Sequence, residues 1–262
     1  MRIAIYLQVI LLLLAPSLTR ADELVSLATR DGVTQTYLLA YNKSESYRAI
    51  AVLFPGGDGY FNTYRTADSD TTNSINFVVR TRSMFVSNGV AAAVIIGPSD
   101  ISRMPDGFRM SDLHATDIGA VVADLKKRFP QAKIFLVGTS RGTVSAVYTG
   151  LALGDKVDGV VLTSTVFNAN RAGGGVAGFD FSRLKVPLLL VHHREDACNV
   201  CPYHAALRLA DQYPLISVSG GLPPQSGPCD PLSAHGYFGK ETETVAAIAG
   251  WINGKPFEKE IK

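Results

Sequence analysis

Residues 134–142 read Ile-Phe-Leu-Val-Gly-Thr-Ser-Arg-Gly: an apolar, strand-like run that ends abruptly in Gly138-x-Ser140-x-Gly142. A helix-compatible stretch of mostly small residues, Thr143 to Leu153, follows directly. Strand, sharp turn and helix in direct succession over 134–153 leave the chain little choice of local geometry. The serine at the tip takes strained backbone angles, and only glycine two residues to either side gives the turn room. The turn lifts the Ser140 hydroxyl clear of the sheet and sets it at a helix N-terminus, where free N–H groups favour negative charge.

The chain has 262 residues, 47% hydrophobic and 18% charged, which suits one large α/β domain with a buried core. Its net charge of +2 includes no basic run, so nucleic-acid binding by electrostatics has no support. The first 21 residues read as an export signal. Arg2 starts it, Ile3 to Ala15 is apolar apart from Gln8, Pro16 breaks the run, and Thr19-Arg20-Ala21 offers small residues for cleavage after Ala21. About 13 apolar residues are too few to span a bilayer. The expected product is a single domain over 22–262, exported to a bacterial periplasm or beyond, without stable membrane insertion.

Export places Cys198, Cys201 and Cys229 in an oxidising compartment. Three cysteines allow one internal bridge and leave one thiol over. Cys198-Asn-Val-Cys201 has redox-motif spacing but does not open a thioredoxin-like strand–helix unit, and no His/Cys pair shows zinc-ligand spacing.

Along the chain, 24–29 and 33–40 alternate around Asp31-Gly32 as a hairpin. Strands are expected at 47–54, 90–96, 134–139, 157–163, 186–192 and 215–218. Helices are expected at 75–87, at 112–128 with Ser111 as its cap, after Ser140, at 203–212 and at 240–253. An antiparallel start followed by strand–helix units predicts an α/β fold: an eight-stranded, mostly parallel sheet with helices on both faces. Ligands bind beyond the carboxyl ends of such strands.

A serine hydroxyl needs a base, and the base needs an orienting partner. Asp196 follows the strand at 186–192 in His-His-Arg-Glu-Asp, with Glu195 as its rival. His192 and His193, at the strand end itself, read as packing or supporting groups. His235 lies in a loop after the last strand, between Ala234 and Gly236, whose small size admits close backbone approach. His114 competes from a helix before the serine strand, and His204 sits in the first turn of its own helix. A developing oxyanion needs two backbone N–H donors. Arg141 supplies one; the loop Pro55-Gly-Gly-Asp-Gly59 supplies the other through Gly57, or else Asp58. Arg103, Arg109 and Arg141 could line the mouth and favour acidic substrates, though solvated surface arginines are the ordinary reading.

The order Ser140, Asp196, His235, with a glycine loop after the third strand, resembles the α/β-hydrolase superfamily across about residues 24–253. Asp196-Ala-Cys198 and Ala234-His-Gly-Tyr237 resemble the acid and histidine motifs of its exported dienelactone-hydrolase-like and small-esterase members. Pro55 stands where His-Gly-Gly esterases carry histidine, and Ser140 where dienelactone hydrolases proper carry cysteine. The resemblance implies a Ser140–Asp196–His235 hydrolase acting on small-molecule esters or acyl compounds, without metal or cofactor. A peptidase or amidase on the same fold is the alternative, and a non-catalytic binding protein the third. No large cap is expected; the loop at 164–182 comes nearest to a lid. The same resemblance implies a Cys198–Cys229 bridge tying the acid loop to the histidine loop, with Cys201 the other candidate partner.

Overall fold

The computed structural model describes residues 20–171 and 173–262. Most of the expected leader, residues 1–19, lies outside the described residues, while Arg20 and Ala21 already belong to the first strand.

The strands are β1 (Arg20–Arg30), β2 (Val33–Asn42), β3 (Ala49–Phe54), β4 (Tyr64–Arg65), β5 (Asp70–Thr71), β6 (Ala91–Ile95), β7 (Lys133–Thr139), β8 (Gly159–Thr163), β9 (Leu188–His193), β10 (Leu215–Val218) and β11 (Glu260–Ile261). The helices are α1 (Phe77–Arg80), α2 (Arg82–Ser87), α3 (Asp106–Arg109), α4 (Asp112–Arg128), α5 (Gly142–Leu153), α6 (Tyr203–Leu207) and α7 (Glu241–Ile252). The main sheet runs β1-β2-β6-β3-β7-β8-β9-β10-β11, and β4 pairs with β5 in a separate ribbon. Pairings from β1 through β2 to β6 are antiparallel, and all from β6 to β11 are parallel.

The sheet therefore has nine strands rather than the expected eight. The ninth, β11, is two residues after the last helix that pair beside Ser217 and Val218, too short to leave a pattern in the sequence. The expected helix over 75–87 is two short ones. Thr81 separates them, its backbone (φ −94°, ψ 0°) leaving the helix while both its N–H and its Oγ1 donate to the Phe77 carbonyl. The expected helix over 203–212 keeps helical form only to Leu207.

β3, β6, β8 and β9 are buried along their whole length, as strands covered on both faces must be. Successive residues of β7 show the two covers. Phe135 meets Trp251 of α7 edge-on at 5.7 Å, while Leu136 lies beneath Gly150 of α5. Ser111 caps α4 by accepting the His114 N–H, and Lys126, Lys127 and Arg128 in the last turn suit the negative end of its dipole. Buried Asp117 of α4 receives Thr29 Oγ1 and the Arg30 guanidinium, which fastens the β1–β2 hairpin to the helix layer. Among the described residues, no helix is long and apolar enough to cross a membrane.

Candidate active site

β7 delivers Ser140 at the carboxyl edge of the sheet with φ +51°, a left-handed conformation that L-residues rarely adopt. Glycine makes this turn possible on three sides. A Cβ on Gly138 would stand 2.4 Å from the Gly142 carbonyl oxygen, one on Gly142 2.0 Å from that of Phe54, and one on Gly56 2.9 Å from Ser140 Cβ. The glycine loop after β3 is thereby pressed against the serine. Ser140 N–H donates to Thr163 O at 3.0 Å, tying the turn to the end of β8. Its side chain is half-buried.

β9 leads into Asp196, whose side chain is fully buried. Its Oδ1 accepts the Cys198 N–H at 2.9 Å, and its Oδ2 lies 2.9 Å from His235 Nδ1. A carboxylate only accepts, so Nδ1 carries the shared hydrogen, and in the neutral imidazole Nε2 is then the nitrogen with the lone pair. Nε2 is buried and has no hydrogen-bond partner; no hydrogen bond joins it to Ser140 Oγ in this structure. Glu195 turns away, its carboxylate 3.1 Å from His193 Nδ1 and largely exposed. Gly236 leaves room for the Pro231 carbonyl, which would lie 1.9 Å from a Cβ; the close approach comes from the same loop, not from another.

Among the described residues, the backbone N–H groups of Gly57, Asp58 and Arg141 meet no protein acceptor. The Gly57 carbonyl accepts from Arg109 Nη2 at 3.2 Å and Arg141 Nη1 at 3.0 Å. In a trans peptide the carbonyl and the following N–H point opposite ways, so these guanidinia turn the Asp58 N–H away from themselves.

The arginines do not line the mouth as free cations. Arg109 is fully buried, donating also to Met104 O and Ser145 Oγ; burial first, and then the nearby Arg141 charge, push its pKa down to about 9. Arg141 spends its guanidinium on Gly57 O, Met104 O and Asp106. Only Arg103 is open to solvent, at 78% exposure, 3.6 Å from Asp58. Buried Asp106 also accepts the Gly175 N–H at 2.9 Å, which pins the segment between β8 and β9 beside the glycine loop.

The other histidines occupy different places. His192 is buried and stacked on Phe167, and its Nε2 accepts the Thr165 N–H at 3.0 Å; burial, with the nearby His235 charge, holds its pKa at about 3. His193 Nε2 lies 3.0 Å from Gly220 O. His114 is buried between Phe54 and Phe108, and neither of its ring nitrogens has a hydrogen-bond partner. His204 lies exposed on α6.

Cys198 and Cys229 form a disulfide, with S–S 2.02 Å. Cys201 is free and buried, with the Ser140 side chain among the groups that act on its thiol. Burial and the Asp196 charge hold that thiol protonated by pushing its pKa up. Sequence spacing gives no hint that Cys198 Sγ, Cys201 Sγ and a His235 ring nitrogen lie within 4.8 Å of one another. With Cys198 spent in the bridge, a cation there would find one free thiol and one imidazole, short of a zinc site. A cavity of about 390 Å³ flanks the acid and histidine loops, lined by Ala197, Leu222, Pro224, Pro228 and Ala234. Ser140 is not among the residues that line it.

Comparison with known proteins extends this picture. The family model for serine aminopeptidases (S33) matches residues 106–220. No curated protein matches the sequence. Among solved structures, the chain is similar to Est1E from Butyrivibrio proteoclasticus, with 15% identity and TM-score 0.59 over 89% of this chain and 100% of that one. It is similar to a dienelactone hydrolase from Anabaena variabilis, with 14% identity and TM-score 0.57 over 89% and 95%. A CIB-like hydrolase from Thermoplasma acidophilum matches with 17% identity and TM-score 0.56 over 90% and 99%.

Proposed function

We propose, starting from a chain that has the α/β-hydrolase fold, that it is an exported serine hydrolase cleaving carboxylic esters through an acyl-enzyme. The observation that carries this reading is the buried Asp196–His235 pair, 2.9 Å apart, at the same sheet edge as the strained Ser140 turn. His235 Nε2 takes the Ser140 proton as the hydroxyl attacks the carbonyl carbon. Asp196 holds the tautomer with hydrogen on Nδ1 and stabilises the imidazolium. The N–H of Arg141 and that of Gly57 or Asp58 receive the oxyanion. The imidazolium returns its proton to the leaving alkoxide, and water then repeats the cycle on the acyl-enzyme. The Ser140–Nε2 contact closes on substrate binding, as catalytic contacts that are loose in the free enzyme commonly do.

The short apolar leader supports export, and the Cys198–Cys229 bridge suits an oxidising compartment. A structure of Est1E holds ferulic acid, which favours small acyl substrates here. The family model's name favours a second reading, cleavage of aminoacyl amides by the same residues.

A fluorophosphonate probe should label Ser140, and Ser140→Ala should abolish labelling and lower esterase kcat by about 10⁴-fold or more. Full activity in Ser140→Ala refutes the reading. A panel of short p-nitrophenyl esters against aminoacyl amides separates esterase from amidase. An unlabelled wild-type protein points instead to a binding protein that keeps the fold.

A further inference from the structure

We infer that Ser164 and Tyr237 are positioning residues for His235, a strut that fixes the imidazole relative to Ser140; this rests on the serine-hydrolase reading. Among the described residues, three non-glycine residues have left-handed φ: Ser140 (+51°), Ser164 (+44°) and Tyr237 (+58°). The nucleophile turn accounts for the first. Tyr237 is the left-handed cap of a helical turn, and Ser164 has no such local reason. Ser164 directly follows β8, and Tyr237 closes the short helical turn Ala234–Gly236 that carries His235. Strained residues persist where their surroundings over-determine them.

Here the surroundings are one hydrogen-bonded knot. Ser164 Oγ donates to the His235 carbonyl at 2.7 Å. The Ser164 N–H lies between the Val191 carbonyl oxygen at 3.1 Å and the Tyr237 phenol oxygen at 3.0 Å. The phenol donates to Val191 O at 2.7 Å. Tyr237 is fully buried, 4.7 Å from Phe77 and 6.3 Å from His193, and burial keeps the phenol protonated and able to donate. One phenol thus joins the exit of β8, the strand that leads to Asp196, and the histidine turn.

The same few atoms reach the nucleophile. Ser140 N–H donates to Thr163 O, and the next residue, Ser164, holds the His235 carbonyl. The path from serine to histidine crosses one hydrogen bond, one peptide and a second hydrogen bond. Its left-handed bend at Ser164 aims the hydroxyl at the histidine turn, where an extended residue would carry the chain past it. Arg80 Nη2 adds a 2.7 Å bond to the Gly236 carbonyl from the opposite flank.

Ser164→Ala and Tyr237→Phe test this, with Thr165→Val as the comparison. Thr165 is also buried, but its hydroxyl serves His192. The readouts are kcat and KM on a short p-nitrophenyl ester, thermal midpoint, and the far-downfield proton resonance of the His235 Nδ1–H shared with Asp196. Ser164→Ala should lower kcat by about 10- to 100-fold with KM within about twofold, as small misplacements of catalytic groups do, and broaden the resonance. Tyr237→Phe should act in the same direction. Thr165→Val should lower the thermal midpoint without moving kcat or the resonance. If Ser164→Ala and Tyr237→Phe keep wild-type kcat and a sharp resonance, losing only thermal stability as Thr165→Val does, the strut is overturned. If the wild-type protein neither turns over esters nor takes the probe, the hydrolase reading fails, and the resonance alone decides whether Ser164 and Tyr237 hold the imidazole.

Discussion

The nucleophile side and the histidine side of the site meet at one sheet edge but are held by opposite means. Ser140 is held by missing side chains: Gly138, Gly142 and Gly56 let backbone pass where any Cβ would collide. His235 is held by side chains from far along the chain. Asp196 lies 39 residues away, Ser164 71, and Arg80 reaches the Gly236 carbonyl across 156. The Cys198–Cys229 bridge adds a covalent clamp. A turn made by clearance is written into a few consecutive residues. A turn made by partners exists only after strands have paired.

The contrast can be broken at its stiffest point first. Gly142→Ala places a methyl 2.0 Å from the Phe54 carbonyl oxygen, and backbone, unlike a flexible side chain, yields only by moving β3 or the elbow. The expected outcome is an activity loss above about 100-fold, since a shift of about 1 Å at a reacting group costs that much. Circular dichroism and probe labelling check it, and near-wild-type labelling would show that the nucleophile side is softer than its clearances imply. The histidine side should fail more gradually. Replacing both Cys198 and Cys229 by serine opens a loop with sequence separation 31. That should cost roughly 3–4 kcal/mol on the chain-entropy account, seen as a lower thermal midpoint, with a smaller fall in kcat because Ser164 and Asp196 still hold the turn.

The smallest effect belongs to acid sensitivity, and it again separates the sides. His114, beside Phe54, and His192, beside Phe167, both have pKa values pushed down to about 3, by burial first and then by neighbouring positive charge. Unfolded, each would titrate near 6.5. The unfolded chain therefore binds protons that the fold refuses, and stability is full above about pH 6.5 and declines as pH falls towards 3. Both His114 ring nitrogens lack partners, so His114→Leu forfeits no hydrogen bond. It should make the decline of thermal midpoint between pH 6.5 and 4 shallower while kcat at pH 7.5 stays near wild type. An unchanged slope would assign the acid sensitivity to the histidine side.

The same contrast explains what could be read in advance. The parallel sheet followed from alternating strand and helix signals, and the Ser140 turn from Gly-x-Ser-x-Gly set between an apolar strand and a helix. Ser111 as the α4 cap was legible because capping is a local transaction between a side chain and the next turn. The break at Thr81 was not, since its backbone leaves helical angles within a stretch whose apolar spacing still favours a helix. The bridge between Cys198 and Cys229 came through resemblance; nothing in their spacing excluded Cys201. Arg109 and Arg141 are neither mouth cations nor the solvated surface arginines that the ordinary reading expected, because sequence does not say that a guanidinium faces inward onto carbonyl oxygens. Ser164 left no signal, because its role appears only when β8 lies between β7 and β9.

Cys201 has one practical consequence. Its S–H bond, buried from solvent near Ser140, vibrates in a region of the infrared that amide and water absorption leave clear. On the proposed acyl-enzyme mechanism, turning the Ser140 alcohol into an ester changes the surroundings of this S–H, and its stretch should then shift for the lifetime of the acyl group.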